Sequence, residues 1–543
     1  MSELKPYYVV SDHPDLTDAI IADLQSSTGS ATVPSRIVEI TDMMMGSDHT
    51  VQAMLTDEEA AMLNNDSRIR IVEQDPLIYK NVRRGFGASR TGNFSNNPNV
   101  NLTTDRNYGL DRVTTSTNNY TVNYTSTNHT FNYNLDGTGV DIIVMDTGVE
   151  PGHPEFAVNA DGTGGSRVIN HDWTQYGIIT SAPTGGFLGD LEGHGSNCAS
   201  IAAGNTNGWA SGAAIYSLRI IDDGTNGPYH SIYDGRTLGL VDELQAWQTI
   251  RAFHNAKSVT STGYKRPTIV TASYGYLESY SKGLNSVYFR GATHSISTTT
   301  GAGVNLYGTI GVANGGDGTF GYRYTTIEVE INSCINAGVI VVAAAGNNAH
   351  KADCTFSGST GTDYNNYVVM NDAPGVPRPY HRGGTPGSTP YVVCVGALDN
   401  VLTSYDVKSY FSVTGPRVDI FAPGSYIMGA YSSATYAVAA IPDPRNSAYY
   451  LNKVSGTSQA TPQVTGVVSC LLQARPWMTA TNVVKWLQSV GIKGAMNENG
   501  YVGSGLSSTW QTGTWTNMAS LQSGTNTILY QPFNLPNPLT IHG

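Results

Sequence analysis

Charged side chains are scarce in this sequence, at 13% of the 543 residues against roughly 25% in a typical globular protein. Only 30 residues are Lys or Arg, against 42 Asp or Glu, and the basic residues form no run. A chain with formal net charge −12 and no basic patch is a poor binder of phosphate backbones, so no nucleic-acid partner is expected. No stretch approaches the roughly 18 consecutive apolar residues of a membrane span, so none is expected.

The sequence also has few cysteines and no visible secretory leader. The N-terminus, MSELKPYYVVSDHPDL, has no basic segment followed by an apolar core. The cysteines are odd in number, widely spaced and without the CxxC spacing of metal sites. Reduced cysteines in a protein that folds in a cytoplasm are the simplest interpretation. The five are Cys198, Cys334, Cys354, Cys394 and Cys470.

The length and the shifts in composition indicate several segments. Residues 1–79 follow the order βαββαβ, which favours a small α+β (ferredoxin-like) sheet with helices on one face. Residues 80–106 are polar, rich in Asn, Gly and Ser, and are interpreted as a linker. Residues 107–495 form the main domain, and residues 496–543 form a polar C-terminal tail.

The main domain alternates apolar runs, most of them rich in β-branched residues, with helical segments. This pattern indicates a mostly parallel sheet that helices cover on both faces. The predicted fold class is therefore α/β, doubly wound, with polar inserts near 277–324 and 351–387. The predicted strands are 141–145, 214–218, 268–272, 339–345 and 391–396, and the predicted helices are 194–203, 241–256, 325–337 and 461–473.

Three candidate catalytic side chains lie at the ends of these elements. Asp146 ends the strand DIIVM, His194 opens a helix, and Ser458 directly precedes an apolar helix. In an open parallel sheet, these positions meet at the ligand-binding edge. Acyl transfer needs a hydroxyl nucleophile, a base within hydrogen-bond reach and a carboxylate that orients the base. Each residue alone is more often structural, so the prediction depends on the combination and its placement.

Five sequence blocks together resemble the signature of the subtilisin-like (subtilase) serine peptidases. The order Asp, His, Ser along the chain fits this family and differs from the chymotrypsin order. The resemblance spans roughly residues 107–495 and is closest to the proteinase K-like branch, through Asn107–Val113 and through Cys198, one helical turn after His194. The blocks are VDIIVMDTGVEPGHPEF, GHGSNCAS, VIVVAAAGNN, VDIFAPG and VSGTSQATPQVTG.

The resemblance implies a serine endopeptidase that acts on a polypeptide substrate and needs no cofactor for its chemistry. Ser458 would be the nucleophile, His194 the general base and then acid, and Asp146 the residue that orients the imidazole. Asn347 matches the oxyanion-hole amide of the family and would act with the backbone N–H of Ser458. The residues that would bind substrate backbone or border the pocket before the scissile bond are Ser273, Tyr274, Gly275, Ala344, Ala345 and Gly346.

The same resemblance suggests a role for the N-terminal segment and a candidate metal site. Residues 1–79 fit the family's propeptide, an inhibitor-like domain that blocks the cleft, with residues 76–81 in or near the active site. In the proteinase K-like branch, two carbonyls and one carboxylate hold a structural calcium, and they correspond here to Pro390, Val392 and Asp419. Asp419 is equally consistent with a buried, hydrogen-bonded carboxylate.

A second interpretation treats the peptidase fold as a structural or binding part of a larger assembly, with latent or no activity. The Lys-poor inserts, rich in Asn, Thr, Tyr and Gly, and the missing leader are similar to those of bacteriophage virion proteins. The chain would then be virion-associated, and otherwise cytoplasmic in the producing cell. The departures from the family pattern, among them Asn197, Gln459 and Gln463, leave every catalytic role filled.

Overall fold

The fold is described from a computed structural model. It describes residues 4–42, 50–74, 88–97, 104–118, 120, 126–133, 135–183, 185–190, 192–221, 241–260, 263–280, 284–289, 291–295, 318–348, 350–353, 366–371, 375–400, 405–432, 440–497, 521 and 524–531. Residues 76–81 and most of the predicted C-terminal tail lie outside these ranges.

The N-terminal segment forms a four-stranded antiparallel sheet with the order β2-β3-β1-β4. Helix α2 begins at a capping box in which Thr56 and Glu59 exchange hydrogen bonds. Apolar side chains of both helices are buried against the sheet. The elements are β1 (Lys5–Ser11), α1 (Thr17–Leu24), β2 (Ile40–Asp42), β3 (Thr50–Leu55), α2 (Asp57–Leu63) and β4 (Ile69–Gln74).

A strand lies where the sequence predicted only a linker. Strand β5 (Ala88–Ser95) pairs in parallel with β6 (Asp105–Arg106) and antiparallel along its whole length with β7 (Ser126–Tyr133). Its polar composition hid it, because an antiparallel strand needs few apolar side chains when its backbone is fully paired. The short helix α3 (Tyr108–Arg112) follows β6 and is buried.

The main domain is built on a nine-stranded sheet, parallel apart from one edge strand. Its central strands are buried at every residue, which confirms the predicted doubly wound α/β class. After residue 140 the elements are β8 (Asp141–Asp146), β9 (Val168–Ile169), α4 (His194–Ala203), β10 (Ala214–Arg219), α5 (Glu243–Ala256), β11 (Thr268–Ala272), β12 (Leu277–Tyr280), β13 (Leu284–Phe289), β14 (Ala292–Ser295), β15 (Gly318–Gly321), α6 (Thr325–Asn336), β16 (Ile340–Ala344), β17 (Tyr367–Met370), β18 (Pro377–Pro379), β19 (Val393–Leu398), β20 (Ile420–Pro423), β21 (Ile427–Tyr431), β22 (Ile441–Asp443), β23 (Asn446–Val454), α7 (Thr457–Ala474), α8 (Ala480–Val490), β24 (Ile492–Lys493) and β25 (Thr527–Ile528).

The strand order positions the candidate site. The sheet runs β24-β25-β20-β19-β16-β11-β8-β10-β9, so β16, β11 and β8 are neighbours. Because these strands are parallel, their carboxyl ends meet at one edge. Asp146 ends β8, Ser273 follows β11, and Asn347 follows β16 by three residues. Three candidate residues are therefore brought to the same edge by the sheet alone.

Helix α7 begins at Thr457, four residues before the predicted start at 461, and contains Pro462 in its interior. The prediction was wrong because proline is usually confined to the first turn of a helix, where no N–H is needed. The earlier start places Ser458 within the first turn. Nearly the whole helix is buried.

The two polar inserts form one joint structure. Strand β13 of the first insert pairs antiparallel with β17 of the second, in a four-stranded sheet ordered β14-β13-β17-β18. Strands β12 and β15 form a separate antiparallel pair at the base of the first insert. Val287, Phe289, Phe320, Val368 and Tyr380 are buried in a small core of their own. Pairing between segments about 80 residues apart cannot be recognised from either segment alone.

The N-terminal sheet contacts the main domain through Tyr8. Its hydroxyl accepts a hydrogen bond of 2.9 Å from Arg475, and its ring lies 5.7 Å from that of Trp477. Arg475 directly follows α7, about 25 Å along the helix axis from Ser458. Among the described helices, none is long and apolar enough to cross a membrane.

Candidate active site

Asp146 and His194 form a hydrogen-bonded pair. Asp146 is fully buried at the end of β8, and His194 is the first residue of α4. Oδ1 of Asp146 lies 2.8 Å from Nδ1 of His194. Burial alone would lower the pKa of His194, but the adjacent Asp146 carboxylate raises it well above its ordinary value. The pair therefore stabilises the imidazolium that a general base becomes after it accepts a proton.

Ser458 lies beside this pair and exchanges hydrogen bonds with Ser273. The Ser458 Oγ donates to the Ser273 carbonyl at 2.8 Å, and the Ser273 Oγ donates to the Ser458 carbonyl at 3.0 Å. The Cys198 Sγ lies 3.4 Å from the same carbonyl and 3.9 Å from Nδ1 of His194. Transfer of the Ser458 proton to His194 therefore requires its hydroxyl to rotate away from Ser273.

Asn347 has its amide fixed by Thr457. The Asn347 Oδ1 accepts hydrogen bonds from the backbone N–H (2.8 Å) and the hydroxyl (2.9 Å) of Thr457. This leaves the Nδ2 donor on the other side of the amide. A Cβ on Gly456 would lie 2.8 Å from Gln459 Oε1, 3.3 Å from Asn347 Nδ2 and 3.5 Å from the Ser458 backbone nitrogen. The two nitrogens therefore both lie close to Gly456, as the donors of an oxyanion hole must lie close to one another.

The predicted substrate residues line a cavity beside Ser458. A Cβ on Gly275 would have no neighbour nearer than 3.7 Å, so its backbone is accessible from the cavity. The lining also includes His350, directly before the second insert, and Tyr380 and Arg382 within it. Of the predicted residues, the cavity is lined by Tyr274, Gly275, Ala344, Ala345, Gly346, Asn347 and Ser458, while Ser273 lies directly behind Ser458.

Asp190 was not identified from the sequence, yet its carboxylate connects the end of strand β8 to the start of helix α4. Its carboxylate accepts hydrogen bonds from the Thr147 hydroxyl (2.9 Å) and from the backbone N–H groups of Gly193 (2.8 Å) and Ser196 (2.7 Å). Burial raises the pKa of Asp190 to about 6, although these hydrogen bonds lower it. An acidic residue four positions before His194, next to a helix start, is the signal that could have identified it.

Glu243 is a second residue that the sequence did not reveal. The buried carboxylate accepts hydrogen bonds from the Tyr274 hydroxyl (2.7 Å), the Trp247 indole (3.0 Å) and the Tyr276 hydroxyl. Burial raises its pKa to about 7, although the hydrogen bond from Tyr274 lowers it. The two tyrosines flank Gly275, so Glu243 supports the predicted substrate-binding segment from behind. An acidic residue at the start of a helix is usually exposed to solvent, and nothing in the sequence distinguished Glu243 from such a residue.

The three predicted metal ligands do not suit a calcium ion in this chain. Asp419 Oδ2 accepts from the Cys394 backbone N–H and from Nη1 of Arg417, both at 2.8 Å. Nη2 of Arg417 donates to the carbonyls of Val392 (2.7 Å) and Thr389 (2.8 Å). Pro390 lies in the same turn, and Thr389 rather than Pro390 contributes the second carbonyl. A guanidinium therefore already bonds to two of the three predicted ligands, Val392 and Asp419.

A buried carboxylate–imidazole pair and a serine at a helix start, on the carboxyl edge of a parallel sheet, are the arrangement that is expected at the site of a serine hydrolase. The model of the subtilase family, S8 peptidases, matches residues 137–505. The chain belongs to this family, and the predicted enzyme class, a subtilisin-like serine endopeptidase, is confirmed.

Individual relatives are distant. The chain is 24% identical to an extracellular serine proteinase of Thermus sp. (strain Rt41A), over 80% of this chain and 69% of the relative. It is 26% identical to thermitase of Thermoactinomyces vulgaris, over 64% and 79% of the two chains. It superimposes on the crystal structure of a cold adapted subtilisin-like serine proteinase with a TM-score of 0.44 and 20% identity, covering 78% of this chain and 97% of the other.

Proposed function

We propose that Ser458, His194 and Asp146 form the catalytic triad of an endopeptidase that cleaves extended polypeptide segments. The observation that carries this proposal is the 2.8 Å contact between Asp146 and His194 beside the Ser458 helix start. His194 accepts the Ser458 proton as the hydroxyl attacks the scissile carbonyl, and then delivers it to the leaving amine. Asp146 holds the imidazole in orientation and stabilises its protonated form.

The negative charge that develops on the carbonyl oxygen requires donors that are already in place. The Nδ2 group of Asn347 and the backbone N–H of Ser458 supply them, and the positive end of the α7 dipole adds to their effect. The Thr457 hydrogen bonds keep the Asn347 amide from turning over. Loss of one such donor typically costs about 10²–10³ in rate.

The substrate lies along the segment Ser273–Gly275 as an added strand, with backbone hydrogen bonds supplying affinity. The side chain before the scissile bond then enters the cavity bordered by Gly275 and Ala344–Gly346. An unfolded or extended polypeptide meets this requirement, because a folded substrate presents few unpaired backbone groups. Insert residues also line the cavity, among them Leu277 of β12, Gly321 of β15 and Tyr380, which follows β18, and they narrow the range of segments that can enter.

Hydrolysis of an unfolded polypeptide tests this proposal directly. The chain and its Ser458→Ala variant are incubated with reduced, carboxymethylated casein after limited proteolysis to release the N-terminal segment. We expect cleavage by the chain and, from the variant, a rate at least about 10³-fold lower. Equal rates from the two would overturn the assignment of Ser458.

We further propose that residues 1–79 act as a propeptide, which makes the chain a self-inhibited precursor. The βαββαβ order and the antiparallel sheet support this role. Arg475, which Tyr8 contacts, lies about 25 Å along the α7 axis from Ser458, so in this proposal the inhibition comes from the predicted segment 76–81 and not from the Tyr8 contact. Intact mass of the purified chain tests this: cleavage between about Tyr79 and Arg106 that Ser458→Ala abolishes supports it, and an uncleaved, fully active chain contradicts it.

The assembly component remains the second candidate function. Its support is compositional, from the Lys-poor inserts rich in Asn, Thr and Tyr. An intact 57.8 kDa chain, present in stoichiometric amounts in a purified particle and inactive after release of residues 1–79, would favour it. Peptidase activity that depends on Ser458 would exclude an assembly component without activity. It would still be compatible with an active peptidase that is carried in a particle.

A further inference from the structure

We propose that Arg417 supplies from within the chain the positive charge that the proteinase K-like branch takes from calcium at this place. The consequence is that the folded chain has no calcium requirement at the turn Thr389–Val392. The proposal concerns stability, so it does not depend on the peptidase assignment.

The guanidinium makes three charge-assisted contacts that a cation would otherwise make. It reaches the Asp419 carboxylate at 2.8 Å and the carbonyls of Val392 and Thr389 at 2.7 and 2.8 Å. The Arg417 side chain is only 7% exposed, so these contacts are shielded from water. One carboxylate and two carbonyls around a single positive group are a calcium-like oxygen set in which a planar donor replaces the spherical ion.

The turn that Arg417 holds contains a strained residue. Tyr391 has a φ of 65°, in the left-handed region that non-glycine residues rarely occupy, and its side chain is 59% exposed. Its own side chain therefore contributes little packing to stabilise the turn. Fixing the carbonyls on each side of it, Thr389 and Val392, is what keeps this conformation in place.

Arginine and calcium exclude each other here. A calcium ion bound to the same three oxygens would lie within a few ångströms of the guanidinium, and two like charges at that distance repel strongly in a shielded site. Calcium also needs six to eight oxygen ligands. Here the Asp419 Oδ2 atom is already shared between Arg417 and the Cys394 N–H. Removal of the arginine would free the two carbonyls and the carboxylate for a cation.

Thermal unfolding of the full chain tests the proposal, with Ser458→Ala as background to prevent self-digestion. We expect the same Tm in excess EDTA and in millimolar calcium. Arg417→Gly should lower the Tm by about 5 °C in EDTA and acquire a calcium-dependent rise that the parent lacks. Arg417→Lys keeps the charge but forms fewer of the contacts. It should fold, with a Tm between those of the parent and of Arg417→Gly.

Arg112→Ala is the matched control, because Arg112 forms a buried ion pair with Asp406 elsewhere in the main domain. It should lower the Tm with no response to calcium. A Tm of the parent that rises with calcium, and no longer does so after Asp419→Asn, would overturn the proposal. So would an Arg417→Gly variant that melts like its parent or gains nothing from calcium.

Discussion

Pro462 lies four residues after Ser458 in α7 and, because it has no backbone N–H, leaves the Ser458 carbonyl without its helical partner. That carbonyl instead accepts hydrogen bonds from the Ser273 hydroxyl (3.0 Å) and the Cys198 thiol (3.4 Å). One residue, Ser458, is thereby connected to the strand end that carries Ser273 and to the helix that carries His194. Pro462, which led the sequence analysis to place the start of this helix too late, thus frees the carbonyl through which Ser458 is held in the site.

This arrangement predicts coupling between Ser273 and Pro462. Ser273→Ala should destabilise the chain by about 1 kcal/mol, because it removes a donor from a buried carbonyl. In a Pro462→Ala background the new N–H can bond to that carbonyl, so the same substitution should cost markedly less. Denaturant unfolding of the four variants, in a Ser458→Ala background, measures the difference. Equal costs in both backgrounds would contradict the shared-acceptor interpretation.

The pH dependence should report the Asp146–His194 pair. Protonated His194 cannot accept the Ser458 proton, so reactivity is lost as the pH falls through the His194 pKa. Because Asp146 raises this pKa, the midpoint should lie above about 6.5. Asp146→Asn removes the raising influence and leaves burial, so the midpoint should move to lower pH while the rate falls. Rates of labelling by a fluorophosphonate across pH 5–10 give both midpoints. A midpoint unaffected by the substitution would argue against the pair.

Gly456 should be needed for the oxyanion hole. A methyl group at this position would lie 3.3 Å from Asn347 Nδ2 and 3.5 Å from the Ser458 nitrogen, and the Gln459 side chain, 2.8 Å away, would have to shift; Gly456→Ala should therefore slow acylation about 100-fold. Asn347→Ala should cost about as much, and the double variant little more, because both changes act on the same spot. Stopped-flow acylation by a peptide ester distinguishes these cases. Fully additive losses would indicate that the two residues act at separate places.

Glu243 should act through substrate binding. Glu243→Gln replaces one acceptor oxygen by a donor and leaves the hydroxyl of Tyr274 or Tyr276 without its partner. KM for an extended peptide should rise about tenfold while kcat stays within about twofold. Glu330→Gln is the matched control, because Glu330 pairs with Arg251 between α5 and α6, away from the cavity. A similar change in the control, or a loss in kcat alone, would count against a role in positioning.

The sequence predicted what depends on local pattern. The apolar runs 141–145, 268–272 and 339–345 indicated a parallel sheet, and the position of Asp146 at the edge of that sheet followed from chain direction, whereas Asn347 came from the family resemblance. The direction of a side chain could not be predicted, because nothing in the sequence shows that Arg417 turns toward Val392 and Asp419. Strand pairing over a long distance in sequence could not be predicted either, because β13 and β17 are polar segments that pair with each other although they lie far apart along the chain.

The most direct measurement is labelling of the full chain with a fluorophosphonate, followed by identification of the modified residue by peptide mass spectrometry. The triad requires an activated hydroxyl, an adjacent base and an oxyanion hole at the same time. We predict that the label is found on Ser458 and is absent from the Ser458→Ala and His194→Ala variants, with labelling faster after release of residues 1–79. Labelling at another serine, or none even after that release, would contradict the assignment.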